Sequence, residues 1–510
     1  MKATVLSAVS PAMAWQTVDS PAAATAALRA AVPVAARDPE RPVYHFRPPA
    51  NWTNDPNGTI YYKGWHHLFY QLNPAEPRGG NQHWGHARSR DLVNWEHLPI
   101  ALWPLTARGE RAIYSGGAIP GADGRPRIFY TSIGHEFPQQ WIAIPEDDEL
   151  IRWSRPASNP VLSIDAHGGL RPSQWRDPFL FTQGRDTYMV CGGNVNDGRG
   201  GGGAVLLYKA TNADLTRWQY RGVVYQQRDR QYFNIECPNL FPLGDKWVLL
   251  ISPHRPVQYF VGSLDLGKPA FVPETQGVLD PGDAYASNIS VDQNGRTIVW
   301  LWGRTRTAPD KGWSGVMLMP RVLSLDADGF LRQQPAPEFE TLRSGRVTRP
   351  PMSPTPGTPI VLDGISGDCL ELAADIVPGN TTAGVGFDVR RSVDGSKATR
   401  VRILPSGVLA VGDVRAPLSR GRQRHSLRVF LDKRVFEVYA NDGEGAIYGT
   451  IDAAAGDLGV AVVADPAIRR EGLFGPPPPS APVSPRVEGL TAWTLGPARF
   501  DLGIFGGDTG

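Results

Sequence analysis

The sequence is short of cysteine, of net charge and of long apolar runs. Its 510 residues include only three cysteines, Cys191, Cys237 and Cys369, at wide spacing, which excludes a disulfide framework and a zinc-ribbon pattern. Lys and Arg number 52 against 50 Asp and Glu, a net charge of +2. This balance gives no case for nucleic acid or an anionic membrane as partner. No run approaches the roughly 18 apolar residues of a membrane span.

Three further features are too weak to define a compartment or a ligand. The N-terminus, with Lys2 and Ala12-Met13-Ala14, makes a poor signal peptide because its apolar part is short and interrupted by serines. The compartment therefore stays open between secretion or periplasmic export and a cytoplasmic location. The glycine run at 198–203 lacks the Gly-Lys-Ser/Thr ending of a phosphate loop, and His83 and His86 have no further candidate ligands. We predict no metal and no cofactor.

What the chain does contain is a series of short strands rich in aromatic residues. From Tyr44 to about Leu331, runs of Trp, Tyr, Val and Ile are broken every few residues by Gly, Pro, Asn and Asp, a pattern typical of strands and turns. No long helical period appears. The Ala-rich stretch from Ala22 to Ala36 predicts one short helix, which we place outside the core. The chain length is enough for two to four domains.

A short motif repeats along the first half of the chain. Asp91-Leu92-x2-Trp95 recurs as Asp214-Leu215-x2-Trp218, with a degenerate copy at Asp148-Glu149-Leu150-x2-Trp153, so that the tryptophans lie about 60 residues apart. In an all-β chain, such a period is typical of propeller blades. We interpret each copy as a structural turn with a buried Leu and Trp between outer strands.

Polar residues that precede the predicted strands recur at nearly the same interval. They are Asp55, Ser115, Asp177, Glu236 and Tyr285. Five such positions predict five blades, each directing the start of its inner strand to a common axis. Because equivalent positions of radially arranged blades converge on the central channel, we expect the three carboxylates among them to lie together.

Composition also predicts the domain boundaries. We expect an N-terminal extension over 1–40, a five-bladed β-propeller over 41–343, a Pro/Ser/Thr-rich linker over 344–360, a β-sandwich over 361–500 and a tail over 501–510. The sandwich is indicated by hairpin patterns, the clearest of which ends in Asn441-Asp442-Gly443. Pro476 to Pro479 predict a surface loop within it. The fold class is therefore all-β, a five-bladed β-propeller followed by a C-terminal β-sandwich.

Three carboxylates in one pocket repel one another, and a purely structural role gives no reason to place them together. Glycoside cleavage does use such a group, because one ionised carboxylate attacks the anomeric carbon while a protonated one delivers a proton to the leaving oxygen. Asp55 lies in a turn that enters a strand, Asp177 follows Arg176, and Glu236 lies between Ile235 and Cys237. The many Trp and Tyr side chains supply faces on which sugars stack.

Taken in order, these motifs resemble glycoside hydrolase family 32, the β-fructosidases that include invertases, inulinases, levanases and related fructosyltransferases. The main motifs are Trp52-Thr53-Asn54-Asp55-Pro56-Asn57-Gly58, Arg176-Asp177-Pro178 and Glu236-Cys237-Pro238. Supporting stretches are Phe69-Tyr70-Gln71-x-Asn73-Pro74, His83-Trp84-Gly85-His86, Tyr114-Ser115-Gly116-Gly117 and Gly312-Trp313-Ser314-Gly315. The resemblance covers about residues 41–500 and implies a five-bladed propeller plus a β-sandwich.

The resemblance also implies roles for individual residues. Asp55 would be the nucleophile, Glu236 the acid/base, and Asp177 the group that holds the fructosyl hydroxyls and stabilises the transition state. Asp55 and Glu236 would lie at the ~5–5.5 Å separation of retaining enzymes. The implied substrate-binding residues are Asn54, Gln71, Trp84, Ser115, Arg176, Cys237, Tyr285 and Trp302, with Cys237 behind Glu236. Where the family has Trp-Gly-Asn, this chain has Gly79-Gly80-Asn81, so one aromatic wall of the pocket is expected to be missing.

The leading hypothesis is thus a retaining β-fructofuranosidase that acts on sucrose or on fructans of the inulin or levan type. Three alternatives stay open at this point. The chain could be a fructosyltransferase that uses the same intermediate, a sugar-binding propeller without catalysis, or an inverting five-bladed arabinan hydrolase. The expected partner is a small or oligomeric fructoside, and the sequence does not indicate an oligomeric state.

Overall fold

The computed structural model describes residues 18, 20–419, 421–466 and 483–506. The N-terminal stretch around Lys2 and the prolines at 476–479 lie outside the described residues. The regular secondary structure of the described part of the chain consists almost entirely of β-strands, which form seven sheets. Within this part, no helix is both long and apolar enough to cross a membrane.

Five of the sheets form the blades of a β-propeller, as the sequence predicts, and in each blade the first strand of the blade is the innermost. Blade 1 consists of β1 Asn51–Tyr62, β2 Trp65–Asn73, β3 His83–Ser89 and β4 Trp95–Leu102. Blade 2 consists of β5 Ala112–Pro120, β6 Pro126–Ile133, β7 Gln139–Pro145 and β8 Trp153–Ser154. Blade 3 consists of β9 Ser173–Gln183, β10 Asp186–Asn194, β11 Gly203–Ala210 and β12 Trp218–Gln226. Blade 4 consists of β13 Glu236–Leu243, β14 Lys246–Ser252, β15 Gln258–Asp265 and β16 Ala270–Val278. Blade 5 consists of β17 Ala284–Val291, β18 Thr297–Gly303, β20 Val316–Met317, β21 Arg321–Leu325 and β22 Leu331–Pro335, and β19 Trp313–Ser314 precedes β20.

The repeated Asp-Leu-x-x-Trp motif is a turn before an outer strand. Leu92, Leu150 and Leu215 are buried and adopt left-handed backbone angles, with φ of 63°, 57° and 60°. The tryptophan of each copy begins the fourth strand of blades 1, 2 and 3. In two copies the indole N–H donates to the leucine carbonyl at 2.8 Å. The predicted structural role of the motif is confirmed.

Two short segments that are distant from blade 1 in sequence pair with it in parallel. Strand β19 pairs in parallel with the start of β1, so that the segment between β18 and β20 of blade 5 closes the ring onto blade 1. On the opposite edge of the blade, β35 Phe500–Asp501 pairs in parallel with β4. The C-terminal segment predicted as a tail from residue 501 therefore begins within the propeller.

The N-terminal helix, α1 Pro21–Ala36, forms where the sequence predicts it. Ser20 caps its first turn by accepting a hydrogen bond from the backbone of Ala23, and a proline at the first helical position suits the start of a helix. Ala24, Leu28 and Ala35 are fully buried against the propeller. The prediction that the helix lies outside the core is wrong, because these small apolar residues form a face that packs onto blade 1.

The remaining two sheets, of six strands each, form the β-sandwich. One contains β23 Arg343–Thr348, β25 Cys369–Val377, β30 His425–Asp432, β31 Val435–Ala440, β32 Gly445–Thr450 and β34 Arg486–Leu495. The other contains β24 Ile360–Ser366, β26 Thr382–Arg391, β27 Thr399–Leu404, β28 Val408–Val411, β29 Val414–Pro417 and β33 Gly459–Pro466. The segment predicted as a linker over 344–360 is in part a strand, since β23 pairs with β34. Short 3-10 helices lie at Thr106–Arg108, Ile164–His167, Pro309–Lys311, Pro337–Leu342 and Gly503–Phe505.

A fully buried ionic network joins the two domains. Arg321 of blade 5 donates to Glu437 of the sandwich at 2.8 Å and to Asp280 at 2.9 Å. His45, just ahead of blade 1, donates to Asp432 at 2.9 Å and to Glu437 at 3.0 Å. Burial opposes a charge on His45, but its hydrogen bonds to the two carboxylates outweigh burial and raise its pKa to about 9. Because breaking a buried charge pair leaves an uncompensated charge, this network holds the sandwich firmly on blade 5.

Tyr448 extends this contact toward the central axis of the propeller. Its backbone N–H donates to Asp280, and its carbonyl accepts from the backbone of Asp283 at 3.0 Å. The ring lies over Gly303, where a Cβ would come within 2.5 Å of it. A sandwich residue thus fixes the two segments that begin β17 and end β18.

Candidate active site

A β-bulge lies at the start of every inner strand and directs side chains into the central channel. The register of β1 shifts between Thr53 and Pro56, and that of β5 between Ile113 and Gly116. Equivalent shifts occur in β13, in β17 and opposite β9. A bulge leaves residues unpaired and turns their side chains out of the ladder. The unpaired residues are Asn54 and Asp55, Tyr114 and Ser115, Asp177 and Pro178, Cys237 and Pro238, and Ala286.

Asp55 lies on the axis of the propeller and is bonded to the neighbouring blade. Its Oδ2 accepts a hydrogen bond of 2.5 Å from Ser115 Oγ, and Cys237 Sγ lies 3.6 Å from the same oxygen. Burial and the nearby charge of Asp177 raise the pKa of Asp55 to about 7, although the Ser115 bond favours the ionised form. The environment therefore makes this carboxylate a strong base and nucleophile once it is ionised.

Asp177 is held opposite Asp55 by the start of blade 4. Its Oδ2 accepts a 2.9 Å hydrogen bond from the backbone of Cys237, and its own backbone N–H donates to Thr131. Burial raises the pKa of Asp177 to about 6, although the charge of Arg176 opposes the rise. Asp177 and Cys237 both have positive φ, 60° and 44°, a strained conformation for residues other than glycine, which is typical of functional sites.

Cys237 lies between Asp55 and Asp177. The thiol is 3.6 Å from the first carboxylate and 3.7 Å from the second, so it faces these two side chains. Burial raises the pKa of Cys237, and the thiol therefore keeps its proton as a weak hydrogen-bond donor.

Glu236 is bound at both of its carboxylate oxygens. Arg176 Nη2 donates to Oε1, and the Tyr285 hydroxyl lies 2.6 Å from Oε2. The Arg176 Nε lies 3.9 Å from Asp177 Oδ2, so one guanidinium connects two of the three carboxylates. Burial and the adjacent carboxylate of Glu236 raise the pKa of Tyr285, which therefore stays a phenol at neutral pH.

The channel is closed behind these residues. A cavity of only about 10 Å³ lies there, lined by residues from all five inner strands, among them Asn57, Phe179 and Asn288. This volume is about that needed for a single water molecule, so the inner strands leave little free space in this part of the channel. A larger cavity of about 540 Å³ lies between blades 4 and 5 and the sandwich, and none of the predicted site residues lines it.

The other predicted binding residues fall into two groups: those with an unpaired polar atom near the carboxylates, and one side chain that is fully buried by packing. Asn54 Oδ1, Gln71 Oε1 and Trp302 Nε1 are buried atoms without a hydrogen-bond partner among the described residues. Gln71 is otherwise fixed by bonds to Ile113 and Ser115, and Trp302 packs edge-on against Tyr285. Buried polar atoms without partners are uncommon in native proteins, and these three belong to residues next to Asp55, Ser115 and Tyr285.

Trp84 belongs to the second group. Its side chain is 0% exposed and packs near Phe69 and Tyr130, with its indole N–H on the carbonyl of Tyr114. A side chain without exposed surface offers no face to a sugar. We therefore correct the substrate-binding role predicted for Trp84 and interpret it as a packing residue beneath the pocket.

Two residues at the pocket were not among those predicted. Trp52 is partly exposed, and its indole lies beside Gly79, where a Cβ would be 3.6 Å from the ring. The indole of Trp52 therefore supplies an aromatic face next to Gly79, the position at which the family has a tryptophan. His254 lies in the loop after β14, with Nδ1 3.6 Å from Glu236 Oε2. No motif includes His254, and only the fold brings it to Glu236.

Among the described residues, no group of three or more His, Cys, Asp or Glu side chains is arranged to hold a metal ion.

The fold and the pocket define a two-domain protein, a five-bladed propeller with an axial carboxylate pocket followed by a β-sandwich. Family models identify it further. The N-terminal domain of glycosyl hydrolases family 32 matches residues 45–335, and the family's C-terminal domain matches residues 338–465. The chain belongs to glycosyl hydrolase family 32.

The relatives of known function are enzymes of the same family. The chain is 35% identical to a fructan 6-exohydrolase of Triticum aestivum over 354 residues, which are 60% of this chain and 58% of that protein. It is 32% identical to a levanase of Bacillus subtilis over 462 residues, 80% of this chain and 65% of the levanase. The chain therefore spans less than two thirds of the length of these relatives.

Solved structures support the fold. A β-fructofuranosidase of Bombyx mori superimposes with a TM-score of 0.74 at 26% identity, covering 94% of this chain and 97% of the other. A fructan 1-exohydrolase of Cichorium intybus superimposes with a TM-score of 0.79 at 22% identity, covering 91% and 98%.

Proposed function

We propose that this protein is a retaining β-fructofuranosidase that removes terminal β-fructofuranosyl residues from sucrose or from fructans. The observation that carries the proposal is the arrangement of Asp55, Asp177 and Glu236 near the starts of three inner strands around one pocket. Each has different partners: Ser115 for Asp55, the Cys237 backbone for Asp177, and Arg176 with Tyr285 for Glu236. Three carboxylates in three environments suit a reaction that needs a nucleophile, a hydroxyl-binding group and an acid.

In the first step, the Asp55 carboxylate attacks the anomeric carbon of the fructosyl unit. The bond from that carbon to the leaving oxygen breaks, and Glu236 gives its proton to this oxygen. The products are a fructosyl ester on Asp55 and the released alcohol. Asp177 accepts hydrogen bonds from the fructosyl hydroxyls, and such bonds strengthen as positive charge develops on the ring in the transition state.

In the second step, the ionised Glu236 takes a proton from a water molecule, whose oxygen attacks the same carbon. The ester bond breaks, and Asp55 leaves as a carboxylate. Two inversions return the starting configuration, which makes the reaction a retaining one. A sugar hydroxyl in place of water gives transfer instead of hydrolysis, and the fructosyltransferase alternative differs in this acceptor alone.

Sucrose and fructans are proposed as substrates because the curated relatives are a fructan 6-exohydrolase, β-fructofuranosidases and a levanase. The pocket agrees with a terminal sugar unit, since it is closed at its inner end. A binding module without catalysis would not need both a carboxylate bonded to Ser115 and a Glu held between Arg176 and Tyr285.

The test is a product screen with the purified protein on sucrose, inulin and levan. Chromatography should detect fructose, with glucose in equal amount from sucrose, and NMR of the first products should show the β-anomer of fructose. Release of the α-anomer would contradict a retaining mechanism. No cleavage of any fructoside, together with binding, would support the sugar-binding alternative, and a predominance of longer oligosaccharides would support the transferase.

A further inference from the structure

The two oxygens of Glu236 are not equivalent. Oε1 accepts a hydrogen bond from Arg176, and an arginine is a donor that keeps its charge. The proton that Glu236 transfers therefore resides on Oε2. The hydroxyl of Tyr285 lies 2.6 Å from this oxygen and 2.9 Å from the carbonyl of Ser252. When Glu236 is protonated, the phenol can donate to the carbonyl and leave Oε2 free to face the substrate.

His254 is the side chain that borders Oε2 on the solvent side. Its Nδ1 lies 3.6 Å from Oε2, and its side chain is 50% exposed. Among the described residues, no hydrogen bond reaches the imidazole. The ring therefore has both a free hydrogen-bonding edge and space next to it, at the oxygen that delivers the proton.

The backbone of His254 is fixed in a strained conformation. Its φ is 59°, in the left-handed region, which is unfavourable for a residue other than glycine or asparagine. Its backbone N–H donates to the Tyr285 hydroxyl at 2.9 Å. The phenol that contacts Glu236 thus also holds the loop that carries the imidazole, and the ring keeps its place relative to Oε2.

From this geometry we infer that His254 lines the part of the site that holds the leaving group. The alcohol that departs from the fructosyl unit lies against Oε2 on the side that the imidazole borders, and the imidazole hydrogen-bonds a hydroxyl of that alcohol when it is a sugar. The attacking water or acceptor sugar later occupies the same space. This inference rests on the proposed function and adds to it the residue that distinguishes a sugar leaving group from a simple alcohol.

The inference predicts a selective loss in His254→Ala. Sucrose has a glucosyl leaving group with several hydroxyls, whereas methyl β-D-fructofuranoside releases methanol, which has no further hydroxyl to bind. For the alanine variant, kcat/KM on sucrose should fall about tenfold, as expected for one lost hydrogen bond, and kcat/KM on the methyl fructoside should change less than about twofold. His254→Gln keeps a hydrogen-bonding side chain and should retain part of the activity on sucrose.

Arg255→Ala is the matched control, because Arg255 is an exposed neighbour in the same loop without a hydrogen bond or ion pair among the described residues. It should leave the ratio of the two kcat/KM values unchanged. Equal losses on both substrates in His254→Ala, or no loss on either, would overturn the inference and leave the proposed function intact. A wild-type protein that cleaves neither fructoside would instead refute the proposed function itself.

Discussion

The hydroxyl of Ser115 donates a 2.5 Å hydrogen bond to Oδ2 of Asp55, across the boundary between blades 2 and 1. The two residues are 60 apart in sequence, and each occupies the bulge that begins its inner strand. The bond orients one carboxylate oxygen and leaves the other free toward the pocket. Its geometry supports Asp55 as the nucleophile.

Replacement of Asp55 by Asn should abolish turnover without unfolding the protein. The amide keeps the shape of the side chain and can still accept from Ser115, but it does not form an ester. The rate should fall by several orders of magnitude, measured as kcat on sucrose with the far-UV circular dichroism spectrum as a check on folding. A folded variant that kept more than about a tenth of the wild-type kcat would remove Asp55 from this role.

The pKa of Asp55, raised to about 7 by burial and by Asp177, should determine the acidic limb of the pH profile. The nucleophile must be ionised, so kcat/KM should decrease about tenfold per pH unit below this pKa. Asp177→Asn removes the neighbouring charge, and the acidic limb of its residual activity should move to lower pH. An unmoved limb would show that Asp177 does not influence the ionisation of Asp55.

The raised pKa of Asp55 also affects the free energy of unfolding. Because the folded pKa of Asp55 is higher than its usual value of 3.8, folding favours the protonated form. The contribution of Asp55 is therefore most favourable below about pH 4 and is lost as the pH rises through about 7. Each pKa unit corresponds to roughly 1.4 kcal/mol.

Asp55→Asn should consequently be more stable than the wild type at pH 8 and of similar stability at pH 4. Thermal denaturation midpoints at the two pH values test this difference. An asparagine variant that was less stable at pH 8 would contradict the destabilising burial of the ionised carboxylate.

Replacement of Glu236 by Gln should give an effect that depends on the leaving group. A fructoside whose leaving group needs no proton should still form the ester on Asp55, and this intermediate should accumulate because water lacks its general base. Azide needs no base and should restore turnover, giving a product of β configuration. Mass spectrometry of the trapped protein and NMR of the azide product measure both effects.

The outcome that would contradict this role is equal loss with good and poor leaving groups together with no rescue by azide. An azide product of inverted configuration would instead contradict the retaining mechanism.

Buried histidines in blade 1 should make the protein sensitive to acid. Burial lowers the pKa of His66 and His83 to about 4 and of His67 and His97 to about 3. These groups stay neutral in the folded state, whereas the unfolded chain binds protons below about pH 6.5. Stability should therefore fall as the pH decreases from about 6.5 toward 4.

His97→Phe tests this directly, because both ring nitrogens of His97 lack partners among the described residues and the ring packs near Phe46 and Phe500. The denaturation midpoint of the variant should decrease less between pH 8 and pH 5 than that of the wild type. A midpoint that decreased as much in the variant as in the wild type would contradict this account of His97.

The sequence predicted the architecture because its pattern is local and repeated. The turn before each outer strand of blades 1, 2 and 3 depends on a Leu and a Trp three residues apart, which pack in the same way in each copy. The spacing of Asp55, Ser115, Asp177, Glu236 and Tyr285 reflects the blade length, and the structure places all five at the starts of inner strands. The N-terminal helix was also predicted, but its docking onto blade 1 was not, because a face of alanines is too weakly apolar to indicate burial.

The local sequence by itself determined the strands, the blades and the type of residue at each inner-strand bulge. The tertiary structure alone decided which atoms of these residues meet: Arg176 on Glu236 instead of only on Asp177, Cys237 between Asp55 and Asp177, Trp84 in the core, and His254 beside Oε2. The physical reason is that the periodicity of apolar residues follows from the burial of a strand, and burial is a property that neighbouring residues of the strand have in common. A contact across the channel depends instead on the twist of several blades, which no short stretch of sequence contains.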